Sequence, residues 1–299
     1  MATKADIAQT YDYIDQIVRN NLGDFADLSC AFYDGNYQLT LDQAQRAKHR
    51  YILDGIGFRK GMRVLDIGCG WGPVLKAVQD AGGCALGLTL SPKQHSWCRR
   101  NGMEAELKDW KDMKVDQYGK FDAVVSVGAF EHFCSVDDYL NGKQDEVYTS
   151  FFRLCHRLLP AGGRLYLQTM TWGQNRPRYE DISLKSPRES NEYIVALIGK
   201  FYPGSWPPSG KEQIVADALN FKLVSVNNGR LDYIHTMKQW GLRIRKMTFH
   251  NAVAVLRLAP RYLWDREFRY MVESFRRAGN RTCFEREIMD HYRMVFEKI

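Results

Sequence analysis

The chain has 299 residues, of which 45% are hydrophobic, 26% charged and 13% aromatic, with a mean hydropathy of −0.42 and a net charge of +7. These fractions exclude a disordered, collagen-like or coiled-coil chain, and no apolar run approaches the roughly 18–20 residues of a membrane span. Seven scattered cysteines without a C-x-x-C pair argue against a disulfide framework and against a zinc site.

The N-terminal part is predicted to be helical. Residues 5–27 carry apolar side chains at helical spacing, and a second helix is expected over Leu41–Leu53. The first eight residues lack the apolar segment of a secretory signal. Together with the unpaired cysteines, this leads us to expect a cytoplasmic protein.

The middle of the chain alternates between short apolar runs and helical stretches. The predicted strands are Arg63–Ile67, Ala85–Thr89, Glu104–Leu107, Phe121–Val127 and Gly163–Thr169. The helices predicted between them are Val74–Ala81, Pro92–Asn101 and Glu146–Leu159. Such alternation is typical of parallel βαβ units and predicts an α/β fold with a doubly wound sheet.

The pattern changes after Thr171. Residues 172–210 are rich in Pro, Gly, Ser and charge, which predicts a loop-like insertion forming a lid or a wall of the substrate site. A strand at Phe221–Val226, helices from Tyr233 to about Ala278 and a final strand at 292–297 should follow. We therefore predict a single domain in four parts: an N-terminal helical cover (1–58), a cofactor-binding core (59–171), the insertion (172–215) and a C-terminal part that completes the sheet and adds substrate-side helices (216–299).

The last fifth of the chain is basic. Between Gly241 and Ile299, thirteen Lys/Arg face seven Asp/Glu, so this part carries six of the seven net positive charges. Two interpretations stay open: a set of solvated helices, or a face for an acidic partner such as an anionic membrane, an acidic carrier protein or nucleic acid. The sequence also leaves the oligomeric state open, a homo-oligomer included.

The most informative motif is the glycine-rich run Val64–Gly72, in which an apolar strand leads through a turn into a helix. Gly68, Gly70 and Gly72 permit a tight turn and the close approach of a ligand, and Asp66 can accept hydrogen bonds beside it. The spacing is G-x-G-x-G, and no acidic residue ends the second strand, which argues against a Rossmann dinucleotide site. No G-K-[ST] follows, which excludes a P-loop.

This run resembles motif I of the class I S-adenosylmethionine-dependent methyltransferases. Other segments narrow the resemblance to the cyclopropane fatty acid synthase and mycolic acid cyclopropane synthase-like family: Leu28–Tyr33, Leu41–Lys48, Leu65–Gly72, Gly87–Gln94, Ser126–Phe133, Leu158–Gly163 and Tyr233–Trp240. The resemblance covers about residues 8–240 and weakens beyond them. It implies a Rossmann-like, doubly wound, mostly parallel seven-stranded sheet with N-terminal helices and a lid insertion.

The resemblance also implies where S-adenosylmethionine binds. The turn glycines would face its methionyl part, Leu28 and Ser29 would cover it, and Asp66 would orient the turn. Thr89, Leu90 and Gln94 would hold the ribose, and Asp109 and Trp110 would contact the adenine. The family usually has Tyr at position 28, so Leu28 lacks one hydroxyl contact.

For the acceptor, the resemblance implies carbon chemistry. The family delivers a methyl group to the π-bond of an unsaturated acyl chain, and a bicarbonate ion accepts the proton. The positions that match its bicarbonate site are Cys30 (through its amide), Glu131, Tyr233 and Gln168. Gln168 replaces a histidine; it can donate a hydrogen bond but cannot titrate near neutrality, which indicates weaker anion binding or a different acceptor.

Further residues are expected around the acceptor. Tyr11 lies seventeen positions before Leu28, the family's spacing for a Tyr near the site mouth. An apolar pocket is predicted from five aromatic residues, namely Phe130, Trp172, Phe201, Tyr202 and Trp206. His132 is interpreted as a packed histidine that faces away from the site, and the Cys30 thiol as inert.

The leading hypothesis is a methyltransferase acting at carbon on an unsaturated lipid or acyl substrate. The alternative is a C- or N-methyltransferase of a soluble natural product, favoured by Gln168 and by the polar insertion. A scaffold with a relic cofactor pocket is disfavoured by the intact glycine motif. Nucleic acid is disfavoured as a substrate because the (N/D)-P-P-(Y/F) motif of base methyltransferases is replaced by Gly128-Ala-Phe-Glu-His.

Overall fold

The computed structural model describes residues 26–246, 248–277 and 279–299. Its described part is organised around a seven-stranded sheet in the order β3-β2-β1-β4-β5-β7-β6. The strands are β1 Arg63–Ile67, β2 Cys84–Thr89, β3 Glu104–Leu107, β4 Ala123–Val127, β5 Arg164–Trp172, β6 Phe221–Asn228 and β7 Met289–Lys298. All neighbours pair in parallel except β7, which runs antiparallel to both β5 and β6.

Helices cover both faces of the sheet. In chain order they are α1 Leu41–Gly55, α2 Pro73–Asp80, α3 Pro92–Arg100, α4 Val115–Tyr118, α5 Val136–Leu140, α6 Gln144–Leu158, α7 Asn191–Phe201, α8 Lys211–Asp217, α9 Arg230–Arg245, α10 Phe249–Trp264, α11 Arg266–Arg276 and α12 Gly279–Glu285. No helix in the described ranges is long and apolar enough to cross a bilayer.

Two apolar cores hold the sheet between its helices. On one face, the α6 side chains Phe151 and Phe152 pack against Leu165 and Phe296. On the other face, Ile52 of α1 and Val74 of α2 belong to the second core. The strands are apolar on both faces because parallel sheets are covered on both sides. The strand order reverses beside β1, so the carboxyl ends of β1 and β4 flank the crevice where such sheets bind ligands.

The predicted strands are confirmed, and the final strand does pair back into the sheet. The prediction for the insertion was wrong in one respect, because it contains the helix α7. Ser190 caps this helix by accepting a hydrogen bond from the Tyr193 amide. The apolar run within 191–201 was hidden by the Pro-, Gly- and Ser-rich segments on either side of it.

The end of the insertion is bound to the core by backbone hydrogen bonds. The Val136 amide donates to the Gly204 carbonyl at 2.9 Å, and the Trp206 amide donates to the Cys134 carbonyl at 3.0 Å. The Trp172 amide donates to the Pro208 carbonyl at 2.8 Å. These contacts favour a fixed wall over a lid among the two forms expected for the insertion.

Candidate active site

A cavity of about 490 Å³ opens at the carboxyl ends of β1, β2 and β4. Ten of the eleven residues expected to hold the cofactor line it: Leu28, Ser29, Asp66, Gly68, Gly70, Thr89, Leu90, Gln94, Asp109 and Trp110. The eleventh, Gly72, precedes α2 as its N-cap. We call this the cofactor cavity.

The glycine turn explains why the cavity can form. A Cβ on Gly68 would lie 2.3 Å from the Ala129 Cβ, and one on Gly72 would lie 2.6 Å from the Met103 Sδ. Gly70, with φ +56°, has no neighbouring atom within 4 Å of its Cβ position. The turn is therefore packed tightly behind Gly68 and Gly72 and is open above Gly70, where a ligand can approach the backbone.

Thr89 and Gln94 form a polar pair at the end of β2. The Thr89 hydroxyl donates to the Gln94 Oε1 at 2.7 Å and accepts from the Ser91 amide at 3.2 Å. This bond orients the Gln94 amide and leaves its NH2 group to donate to a ligand. The pair suits a ribose hydroxyl without introducing a charge.

Trp110 lies at the other end of the cofactor cavity. Its ring packs 5.1 Å from Phe133 and edge-on at 5.6 Å from Phe151, so the core holds it in place. Asp109 begins the same turn and accepts a hydrogen bond from the Lys111 amide at 3.0 Å. A flat indole beside a carboxylate suits an aromatic base with an amino edge.

A buried charged cluster lies next to the cofactor cavity. Lys48 of α1 forms an ion pair with Asp27 and donates to the Ser29 hydroxyl at 2.5 Å. His49 Nε2 lies 2.9 Å from Asp27 Oδ2, the oxygen that Lys48 also contacts, and the Ser29 hydroxyl donates to Asp27 Oδ1 at 2.7 Å. Burial acts to raise the pKa of Asp27, but Lys48 and His49 hold it below its ordinary value, so Asp27 is ionised.

The sequence analysis assigned no role to Lys48, although its position in the helical pattern of α1 indicates a buried lysine. Lys48 falls at helical spacing from Leu41, Ala44 and Ile52, all buried on the inner face of α1. A lysine on such a face is rarely buried unless it is paired. A search for its carboxylate partner would have drawn attention to Asp27.

Asp66 lines the cofactor cavity, and one of its carboxyl oxygens accepts no hydrogen bond from the described residues. Its side chain is buried, and its Oδ1 has no hydrogen-bond partner in the described part of the chain. Burial, with repulsion from Asp27, raises the pKa of Asp66 to about 7, while Lys48 opposes the shift. An unsatisfied buried carboxyl is costly, so a cationic ligand group at this point would be favourable.

A second and larger cavity, of about 940 Å³, lies beside the first. Four residues predicted near the acceptor line it: Glu131, Trp172, Tyr202 and Trp206. Its other walls come from the insertion and from α11, through side chains such as Ile182, Val195 and Met271. The two cavities share His132, Gly204 and Ser205 at their boundary. We call the second one the acceptor cavity.

Glu131 is a buried acid in the wall of this mostly apolar cavity. Its Oε2 accepts a hydrogen bond from the Thr169 hydroxyl at 2.9 Å. Burial raises the pKa of Glu131 to about 7, and the hydrogen bonds to its carboxyl group offset only part of this increase. The group can therefore exchange a proton near neutral pH, as an acid–base residue requires.

The interpretation of His132 was wrong. It lines both cavities, and its Nδ1 lies 3.0 Å from the Ser205 hydroxyl of the insertion. Burial lowers the pKa of His132 to about 4, so the ring is neutral at physiological pH. The family motif assigns a role to the adjacent Glu131 and none to His132, so nothing in the sequence indicated that His132 lies at the site.

Phe130 does not line either cavity and is a further correction. Its ring is fully buried and stacks on Tyr148 at 4.5 Å, because the turn after β4 directs it into the core. Phe201 is the last residue of α7, and the structure does not describe its side chain. Tyr11 and the helix predicted over residues 5–27 lie outside the described residues, apart from the last two positions of that range.

Cys30, Gln168 and Tyr233 do not line the acceptor cavity, and a hydrogen bond joins the first two. Gln168 Nε2 donates to the Cys30 carbonyl at 3.1 Å, and its Oε1 accepts from the Tyr166 hydroxyl at 3.2 Å. The Cys30 thiol and the Tyr233 amide both contact the Gly229 carbonyl, at 3.6 Å and 2.9 Å. Gln168 thus uses one of its two N–H bonds to hold the N-terminal segment against β5.

Arg293 is the residue in this region that sequence reasoning missed. It pairs across strands with Gln168 and is almost completely buried. Its Nη2 donates to the Ala31 carbonyl at 2.7 Å and lies 3.1 Å from Asp232. The alternating pattern of the last strand places Arg293 on the inner face, and a charge there could have been recognised as a site feature.

Burial also bears on the chemistry of Cys30. It raises the pKa of the Cys30 thiol to about 12, against attraction from Arg293. A thiol with such a pKa stays protonated at neutral pH and is a poor nucleophile.

The fold and the glycine turn define a class I S-adenosylmethionine-dependent methyltransferase. The family model of mycolic acid cyclopropane synthetase matches residues 1–284, so the chain belongs to that family. This match confirms the predicted family and extends beyond residue 240, where the resemblance was expected to weaken.

Known relatives agree with this assignment. Cyclopropane mycolic acid synthase 3 of Mycobacterium tuberculosis is 28% identical over 270 residues, which cover 87% of this chain and 88% of that protein. The structure of cyclopropane synthase MmaA2 from the same species superposes with a TM-score of 0.79 at 24% identity over 99% of both chains. Mycolic acid cyclopropane synthase CmaA1, complexed with SAH and CTAB, gives a TM-score of 0.77 at 26% identity, again over 99% of both chains. The fold class, the enzyme class and S-adenosylmethionine as the methyl donor are thereby confirmed.

Proposed function

We propose that this enzyme transfers a methyl group from S-adenosylmethionine to a carbon atom of an unsaturated fatty acyl or lipid substrate. One observation carries the proposal: the cofactor cavity meets a larger, mostly apolar cavity that contains a single buried acid, Glu131, with a pKa near 7. Membership of the cyclopropane synthetase family supports the same chemistry.

S-adenosylmethionine, when bound, supplies an electrophilic methyl group, and the residues of the cofactor cavity fit it. Gly70 leaves space against the backbone, and Asp66 offers an unsatisfied carboxyl oxygen for the cationic amino-acid part. Gln94 and Trp110 provide a hydrogen-bonding group and a flat apolar face for the nucleoside. These residues bind and orient the donor and take no part in bond formation.

The acceptor is an uncharged carbon nucleophile, so no base is needed to activate it. The electron pair of the acceptor's double bond forms the new C–C bond, and the pair of the C–S bond leaves with sulfur. Positive charge then develops on the acceptor. The aromatic rings of Trp172, Tyr202 and Trp206 line the cavity, where they would exclude water and offer their π-electrons to the cation.

Loss of a proton completes the reaction, and Glu131 is the group we assign to it. If the proton leaves the new methyl group, a cyclopropane ring closes; if it leaves a neighbouring carbon, a methylated alkene results. We assign proton acceptance to Glu131 itself; an anion such as bicarbonate, held with the Cys30 amide, Tyr233 and Gln168, is the alternative, although these three residues do not line the acceptor cavity. Turnover that is independent of added bicarbonate would assign the proton to Glu131 alone.

The acceptor class and the partners remain part of the proposal. A mostly apolar cavity of this volume favours an acyl chain over the soluble natural product that was the alternative. We expect the chain to be presented by an anionic membrane or an acidic carrier protein, given the basic C-terminal part, and not by nucleic acid. The seven free cysteines support action in the reducing cytoplasm.

Lipid analysis of cells that express the enzyme tests the proposal. We expect acyl chains heavier by one CH2 unit, detected by mass spectrometry, and none in cells expressing the Glu131→Gln variant. An unchanged lipid profile, with methylated soluble metabolites instead, would establish the natural-product alternative. A protein that fails to bind S-adenosylmethionine in calorimetry would overturn both.

A further inference from the structure

A groove lined with arginines runs along α11. It has a volume of about 600 Å³ and is lined by Arg188, Arg266, Arg269, Arg276 and Arg277, with Glu273 as its one carboxylate. Arg277 forms ion pairs with Glu189 and Glu273 at 2.8 and 3.0 Å. The other four arginines form no ion pair with a carboxylate in the parts of the chain that the structure describes. We call this feature the arginine groove.

An exposed apolar stripe lies on the preceding helix. Leu256, Leu263 and Trp264 of α10 are 73%, 64% and 80% exposed. Their spacing of seven and eight residues places them on one face of the helix. Arg269 connects the stripe to the groove, because its Nη1 donates to the Leu263 carbonyl at 2.9 Å.

The arginine groove also adjoins the acceptor cavity. Arg266 and Tyr270 line both, and Arg266 Nη2 lies 3.1 Å from the Tyr270 hydroxyl. The groove therefore borders the acceptor cavity on the side of α11. A ligand held in the groove by its anionic end could direct an apolar chain towards Glu131.

We propose that the arginine groove and the apolar stripe together bind the surface of an anionic phospholipid bilayer. Guanidinium groups pair with phosphate oxygens through two hydrogen bonds, and an exposed Trp and two Leu can enter the layer below the headgroups. An acidic protein would match the arginines, whereas the combination with a one-sided apolar stripe is typical of helices that lie in a membrane interface. The further statement that the acceptor chain enters from this surface rests on the proposed function.

Binding to vesicles tests the surface without reference to catalysis. The full chain, without S-adenosylmethionine, is sedimented with vesicles of phosphatidylglycerol or phosphatidylcholine. We expect binding to the anionic vesicles only, weakened by salt, and a loss of at least about tenfold in the Arg188→Glu/Arg276→Glu variant. The matched control is Arg153→Glu/Arg157→Glu on α6, which changes the net charge equally outside the groove.

Each outcome is decisive for the surface. An equal loss in both double variants would show general charge attraction and overturn the proposal, as would no binding at all. If the enzyme does not bind vesicles but binds a purified acidic acyl carrier protein through the same arginines, the partner is a carrier protein and the proposal of a lipid surface is wrong.

A second experiment tests the apolar stripe. Bromine-labelled lipids should quench the tryptophan fluorescence of the wild type more than that of Trp264→Phe, and equal quenching would show that the stripe does not enter the bilayer. Methylation of a detergent-dispersed acceptor, measured separately, shows whether the proposed function survives any of these results.

Discussion

The cofactor cavity and the acceptor cavity are built by the chain in different ways. The first is formed mainly where consecutive strands end, by Asp66, Thr89 and Gln94, and is braced by the buried pair Asp27–Lys48. The second is formed by segments far apart in the sequence, such as Trp206 of the insertion and Met271 of α11. Donor binding is thus tied to a local motif, whereas acceptor binding depends on how distant segments pack.

Because they are built differently, the two cavities should respond differently to mutation and to pH. Around the cofactor cavity, hydrogen bonds and ion pairs such as Thr89–Gln94 and Asp27–Lys48 fix the lining residues, so single changes there should alter stability and donor affinity. In the acceptor cavity, Glu131 is the buried acid, and changing it should alter turnover alone.

The largest effect is expected for Glu131→Gln, which keeps the shape of the side chain and removes its ability to accept a proton. Turnover should fall by about 10²–10⁴-fold, while the affinity for S-adenosylmethionine stays the same. In the wild type, kcat should rise with pH through about 7, where Glu131 loses its proton, and the variant should show no such rise. Rates measured across this pH range, with calorimetry for the donor, check both points; loss of donor binding would contradict the division between the cavities.

The next effect concerns the buried ion pair between Lys48 and Asp27 beside the cofactor cavity. Lys48→Met leaves Asp27 buried without its main partner and should lower the free energy of unfolding by about 3–5 kcal/mol, measured with denaturant. Asp27→Asn/Lys48→Met should recover much of the loss, because no unpaired charge is left. As a control, Lys76→Met breaks the exposed pair with Asp80 and should cost at most about 1 kcal/mol.

The glycine turn offers a comparison between two neighbouring positions. Gly68→Ala brings a Cβ to 2.3 Å from Ala129 and should destabilise the fold by about 1–3 kcal/mol more than Gly70→Ala, which meets no atom within 4 Å. Both residues have positive φ, but the φ of Gly70 (+56°) lies in the left-handed region open to other residues and that of Gly68 (+89°) does not, so backbone strain adds to the difference. Gly70→Ala should instead weaken donor binding; if it destabilises the fold as much as Gly68→Ala does, the space above the turn is not reserved for a ligand.

The smallest effect is the pH dependence of donor affinity. Only ionised Asp66 attracts a cationic group, and its pKa is raised to about 7 by burial and by Asp27. Affinity for S-adenosylmethionine should therefore increase as the pH rises towards 7, by no more than about tenfold overall, and level off above it. Calorimetry at several pH values should show the trend in the wild type and a flat response in Asp66→Asn.

Particular residues show how far the sequence alone could be interpreted. The glycine spacing identified the cofactor cavity because neighbouring positions in a turn stay neighbours in space. The side on which Phe130 and His132 lie could not be obtained in this way, since the turn after β4 directs one into the core and the other to the cavity boundary. The pairing of Lys48 with Asp27, and of Arg293 with Asp232, depends on contacts between distant segments.

The family, the doubly wound sheet and the place of the donor could be predicted from the amino-acid sequence, because periodicity and a local glycine motif encode them. The packing of distant segments sets which groups are buried together. It thereby raises the pKa values of Asp66 and Glu131, joins Gln168 to Cys30 by a hydrogen bond, and forms the arginine groove beside the acceptor cavity. Desolvation and charge pairing arise from residues far apart in the chain, and no local pattern records which of them will meet.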